Sequence, residues 1–119
     1  MAFNQPAPTL LAATIAAGAS LSPQINLGAQ TLHGILIPAG WTAAGLTFQV
    51  SVDNGATFHE MNDNTATAIS AAVTAGGYAA LNPDLWRAVN VLKIRSGMLH
   101  SPVNQAAPAT LTLVLSTIV

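Results

Sequence analysis

Seven side chains carry formal charge: Asp53, Glu60, Asp63, Asp84, Arg87, Lys93 and Arg95. Acid–base or nucleophilic catalysis needs a nucleophile with an oriented base, or two carboxylates facing across a cleft. Asp53 and Glu60 flank one short segment, and pairing of either with Arg87, Lys93 or Arg95 is the simpler expectation. No nucleophile elbow, phosphate loop or dinucleotide fingerprint occurs, so catalysis is not expected and no catalytic residue is assigned. His33, His59 and His100 have no second His or Cys at metal-ligand spacing, and His59-Glu60 lacks the second histidine of a helical zinc motif. Asn62-Asp63-Asn64 offers oxygens without the acidic ladder or distant Glu of a calcium loop, which predicts a plain Asx turn. Neither a metal nor a cofactor is expected.

The densest polar pattern is Ser51-Val52-Asp53-Asn54-Gly55-Ala56-Thr57-Phe58. Asp53 can accept hydrogen bonds from turn amides, Gly55 can supply positive φ, and Phe58 can tuck beneath the turn. Ser51, Asp53, Gly55, Thr57 and Phe58 are therefore read as a structural hairpin. The pattern Ser-x-Asp-x-Gly-x-Thr-aromatic resembles the Asp-box hairpin of sialidases and many secreted β proteins, where it is structural and lies away from the active site. Trp41, Tyr78 and Trp86 could form a sugar-stacking platform, although anchoring of core or loops is the stronger expectation.

The elements that must carry these residues read as strands. Residues 46–53 alternate, with Leu46, Phe48, Val50 and Val52 on one face and Thr47, Gln49 and Ser51 on the other. Asn54-Gly55 then predicts a turn, and 57–61 returns as the partner strand. Further strands are expected at 11–17, 21–27, 31–37, 66–73, 89–95 and 110–118, with Leu92 and Ile94 facing the core. Residues 38–45 form a loop anchored by Trp41, Gly76-Gly77 is a turn, and Asn82-Pro83-Asp84-Leu85-Trp86 is a capped helical turn. The expected fold is all-β: an antiparallel, jelly-roll-like β-sandwich of about eight strands. Residues 1–10, with Pro6 and Pro8 and no charge, read as a short extended N-terminal arm, and 11–119 as a single β-sandwich domain. The uncharged C-terminal strand is expected to be central or covered, because an exposed one would invite aggregation.

Composition sharpens the functional expectation. In 119 residues, 51% are hydrophobic and 6% charged, against a usual charged share of about 25%. Proteins that stay dispersed alone keep many surface charges, so the chain reads as a subunit held against partners. Three basic residues cannot form a phosphate-binding patch, so nucleic acid is not an expected partner. The most apolar run, 9–21, is too short to span a bilayer and has no basic start, so neither a membrane nor a signal peptide is expected. With no cysteine, disulfides and thiolate chemistry are excluded.

Ile37-Pro38-Ala39-Gly40-Trp41-Thr42-Ala43-Ala44-Gly45-Leu46-Thr47-Phe48-Gln49-Val50-Ser51-Val52-Asp53-Asn54-Gly55-Ala56-Thr57-Phe58 resembles small β-sandwich proteins of tailed-bacteriophage virions. Residues 78–86, Leu92-Lys93-Ile94-Arg95-Ser96-Gly97 and Pro102-Val103-Asn104-Gln105-Ala106-Ala107 continue the resemblance, which covers roughly residues 30–115. The strand, Asp-Gly turn and Leu-Lys-Ile-Arg order is also similar to galactose-binding-like jelly rolls. The virion resemblance implies a non-enzymatic structural protein, foremost a head decoration or cement protein on the outer capsid surface, made in the host cytoplasm. Its implied partners are the major capsid protein and further copies of itself, as an oligomer such as a trimer or as a lattice. Phe3, Pro6 and Pro8 in the arm, Trp41, and Leu99 and Asn104 in a surface loop are the expected contacts. The alternative is a tail, fibre or baseplate component that recognises a receptor or glycan.

Overall fold

A computed structural model of the chain describes residues 7–117. Among them nine strands form: β1 (Thr9–Ile15), β2 (Ile25–Asn26), β3 (Thr31–Leu36), β4 (Leu46–Ser51), β5 (His59–Glu60), β6 (Tyr78–Ala80), β7 (Val91–Met98), β8 (Ser101–Pro102) and β9 (Ala109–Ser116). Sheet I runs β1-β9-β3-β6, sheet II runs β2-β7-β4-β5, and β8 is appended to β7. Every named strand pair is antiparallel. With β8 set aside, this is the strand order of an eight-stranded jelly roll. The all-β sandwich expected from alternation and turn spacing is the fold observed.

β9 shows why the sheets pack. Leu111, Leu113 and Leu115 are fully buried, while Thr110, Thr112 and Val114 between them face outward. The strand lies between β1 and β3, so the uncharged C-terminal strand has no free edge. Across the core, Leu46 and Phe48 of β4 and Leu92 and Ile94 of β7 supply the opposing face. Trp86 meets the Phe48 ring edge-on, with centroids 4.8 Å apart.

The short elements follow local chemistry. Asn54 and Gly55 both take positive φ, 60° and 90°, at the tip between β4 and β5. Pro83–Trp86 is one 3₁₀ turn, capped where the Asn82 side chain accepts from the Asp84 amide at 3.1 Å. In β3 a bulge shifts the register between Leu32 and Gly34, so that Leu32 and Ile35, three residues apart, both face the core.

Four expectations need correction. Residues 66–73 form no continuous strand. Ala66 takes φ 62°, and only the isolated bridges of Asn62 with Ala68 and Leu46 with Ala71 remain. Asp63 instead holds a turn, accepting from the amides of Thr65 at 2.7 Å and Thr67 at 3.1 Å. The 21–27 strand shrinks to Ile25–Asn26 because Pro23 has no N–H to give. Beside it, the Ser22 hydroxyl accepts the Ile94 amide at 2.9 Å. Val52 is 66% exposed, since β4 ends at Ser51. β1 begins at Thr9, inside the expected arm, and residues 1–6 of that arm lie outside the described residues. The strands β6 and β8 were not expected, each being too short to show a period.

Candidate functional site

All seven charged side chains are held by neighbours within the chain. Ser51, fully buried, donates to Asp53 Oδ1 at 2.7 Å, and its Oγ accepts from the Gly55 amide at 2.8 Å. Asp53 also accepts from the Thr57 amide at 3.0 Å and from the Thr57 hydroxyl at 2.6 Å. These donors, the Thr57 hydroxyl foremost, lower the Asp53 pKa to about 2. Gly55, packed against Gln24, and half-buried Phe58 complete a purely local hairpin. Lys93 Nζ lies 4.3 Å from the centre of the Phe58 ring.

Arg95 and Glu60 form a forked pair, with Nη1 on Oε1 and Nη2 2.8 Å from Oε2. Arg95 is only 5% exposed, and Nη1 also donates to the Thr47 hydroxyl at 3.2 Å. The Arg95 hydrogen bond is the main cause that holds the Glu60 carboxyl below its usual range. Asp63 is tied to Thr65 and Thr67, and Asp84 to Arg87 at 2.7 Å. Two ion pairs, Glu60–Arg95 and Asp84–Arg87, offset charge within the chain, whereas Asp53, Asp63 and Lys93 are held by neutral neighbours and keep theirs.

Every one of these charges lies on sheet II or in a connecting loop. The four strands of sheet I contain no Asp, Glu, Lys or Arg. Register places Leu10, Val114, Gly34 and Ala80 in one outward row, and Ala12, Thr112, Leu36 and Tyr78 in the next. Thr14 and Thr110 pair at 2.9 Å in a third row. Leu10, Leu36 and Tyr78 are 57%, 41% and 51% exposed. The Tyr78 ring lies across Gly34, where an added Cβ would fall 2.2 Å from the phenol oxygen. Glycine is therefore required for the ring to lie flat on the sheet. The result is a continuous face of small, apolar and hydroxyl side chains without charge, which is the composition of an interface centre.

Of the residues expected to touch partners, the structure brings the Trp41 loop beside the Asn104 segment, joined where Gln105 and Ala106 bond Thr42. Trp41 is buried, its indole N–H donating to the Ala44 carbonyl at 3.1 Å, so it anchors its loop and is withdrawn as a surface contact. Trp86 is buried as well, so Trp41, Trp86 and Tyr78 do not make a stacking platform. Leu99 and Asn104 are exposed in the β7–β8 and β8–β9 connections, and Pro8 is exposed ahead of β1. Phe3 and Pro6 lie outside the described residues. The histidines are not brought together: His59 and His100 are exposed, and His33 is half-buried at the β3 bulge. Among the described residues no cluster of three or more potential metal ligands occurs.

Sequence reasoning missed the sheet I face, because its rows are assembled by pairing among four distant strands. The absence of charge from 9–15, 31–36, 78–80 and 109–116 was the available signal. Buried Gln105 was also missed. Its Oε1 accepts from the Thr42 amide at 2.8 Å and its Nε2 donates to Ser96 Oγ at 2.9 Å, clamping the Trp41 loop. Comparison with protein-family models, curated proteins and solved structures finds no match to this chain.

Proposed function

We propose that the chain is a non-enzymatic structural subunit of a virus particle, a decoration or cement protein that lies against the capsid exterior through the outward face of sheet I. The observation that carries this reading is the segregation of charge: sheet I has none, and every charge elsewhere is held by neighbours within the chain. A face of this kind gains affinity from apolar burial, at about 25 cal/mol per Å², and little from ionic attraction. Repetition over a lattice multiplies that gain. The major capsid protein and neighbouring copies are the proposed partners, and the virion resemblance of residues 30–115 supplies the particle context.

The decisive experiment is cryo-electron microscopy of the particle that contains this protein, with the wild type beside Thr112→Lys and Val114→Lys. Both substitutions add charge to the central strand of the face and leave the core untouched. Loss of capsid-exterior density in both variants, with their unfolding curves unchanged, is the expected result. Full occupancy in both, or density confined to a tail or fibre, rejects the reading.

A further inference from the structure

The free edge of sheet I opposite β1 is β6, and a cleft of about 400 Å³ runs beside it. Two hydrogen bonds set the phase of the β3–β6 ladder: Leu81 N–H to the His33 carbonyl at 2.9 Å and Ile37 N–H to the Gly77 carbonyl at 2.8 Å. By antiparallel alternation Ala79 then turns its N–H and C=O toward β3, and Tyr78 and Ala80 turn theirs outward. The other lining of the cleft is the stretch 69–72, bridged to β4 at Ala71. There Ala71 exchanges both of its hydrogen bonds with Leu46, at 2.9 and 3.0 Å, while the backbone groups of Ser70 and Ala72 have no partner among the described residues. Leu85, 46% exposed, adds an apolar side chain, and no lining residue is charged. The outward backbone groups of Tyr78 and Ala80 on one side and of Ser70 and Ala72 on the other, with Leu85 beside them, make a slot for one added strand.

We infer that this slot receives residues 1–5, Met1-Ala2-Phe3-Asn4-Gln5, of a second copy of the chain. That segment is uncharged like the cleft, and as a strand it places Met1, Phe3 and Gln5 on one face. Phe3 supplies the apolar side chain that exposed Leu85 can cover. Pro6 and Pro8 have no N–H, so a ladder built on this segment stops at Gln5. The same molecule cannot easily be the donor. β1 lies three strand spacings from β6, about 14 Å, and the strand ends must also be rounded. The slot lies one spacing beyond β6, about 19 Å from β1, whereas the four Cα steps from Gln5 to Thr9 span at most about 14 Å. β1 and the slot lie on opposite edges of the sheet, so the contact is head-to-tail and closes into a ring or continues as a lattice. It builds on the self-association in the particle reading.

The test uses the full chain, a chain lacking residues 1–8, and a fluorescently labelled peptide of residues 1–8, with no particle present, so that its failure is separate from failure of capsid docking. Sedimentation should show concentration-dependent oligomers of the full chain and a monomer after truncation. The peptide should bind the truncated chain. Phe3→Ala in the peptide, or Leu85→Asp in the protein, should weaken binding about tenfold or more, equivalent to about 1.4 kcal/mol. Ser70→Asp in the 69–72 stretch gives the same readout should Leu85→Asp fail to fold. A full chain that stays monomeric, oligomers that survive truncation, or a peptide that binds equally well to the slot variants overturns the inference.

Discussion

The two sheets share one core and differ in how they meet the outside. On sheet II the outward side of β4 and β7 carries Thr47, Lys93 and Arg95, tied to Gly97, Phe58 and Glu60. Sheet I presents Leu10, Leu36, Tyr78 and the threonines Thr14, Thr110 and Thr112, with no ion to partner. Polar groups on sheet II are satisfied before any partner arrives, whereas the outer side of sheet I keeps its apolar area available. With so few charges, their placement says more about function than their number.

Substitutions on the two faces can break this comparison. Leu113→Ala, beneath sheet I, should have the largest effect, a loss of about 3–4 kcal/mol in denaturant unfolding, since the side chain is fully buried in the central strand. A loss below 1 kcal/mol would mean that the sheets are not tightly packed there. Arg95→Ala on sheet II should cost about 2–3 kcal/mol, below the full cost of breaking a buried pair because Glu60 keeps some contact with water. Arg95→Met combined with Glu60→Leu should recover most of that loss, and a double variant no better than Arg95→Ala would show that the pair has a further role.

Acid should weaken the sheet II side through its carboxylates. The folded-state pKa of Asp53, about 2, lies below the ordinary 3.8. Its ionised form therefore stabilises the fold above about pH 4, and the contribution fades as pH falls toward 2. Glu60 and Asp63 shift in the same direction. Asp53→Asn should flatten the decline of the thermal midpoint between pH 4 and 2, and an unchanged acid limb would assign that decline to the other two carboxyls. The smallest stability change belongs to Thr112→Lys, on the opposite side of β9 from Leu113. It should stay within about 0.5 kcal/mol, as measured by the same denaturant titration. A large destabilisation would mean that the sheet I face is structurally engaged and is not a free docking surface.

Much of the architecture was legible. The period of 46–51, the Asn54-Gly55 turn, the Asn82 cap and the alternating leucines of 109–116 are local signals that folding did not override. The strand expected at 66–73 failed because alternation there could not reveal the Asp63 turn, whose side chain captured the amides that a ladder would use. Trp41 and Trp86 were legible as anchors, but their burial depended on distant partners: Phe48 packs on Trp86, and Gln105 clamps the Trp41 loop.

The sequence by itself determined the all-β class, the absence of cysteine chemistry and the scarcity of charge, because alternation, turn residues and composition are local or additive properties. Only the tertiary structure decided that Arg95 is the partner of Glu60, that four charge-free strands share one sheet, and that β6 faces the cleft with unpaired backbone groups. Each of these depends on which distant strands become neighbours. That choice is made by burying Leu111, Leu113 and Leu115 against the opposing sheet, a cooperative outcome that no single segment encodes.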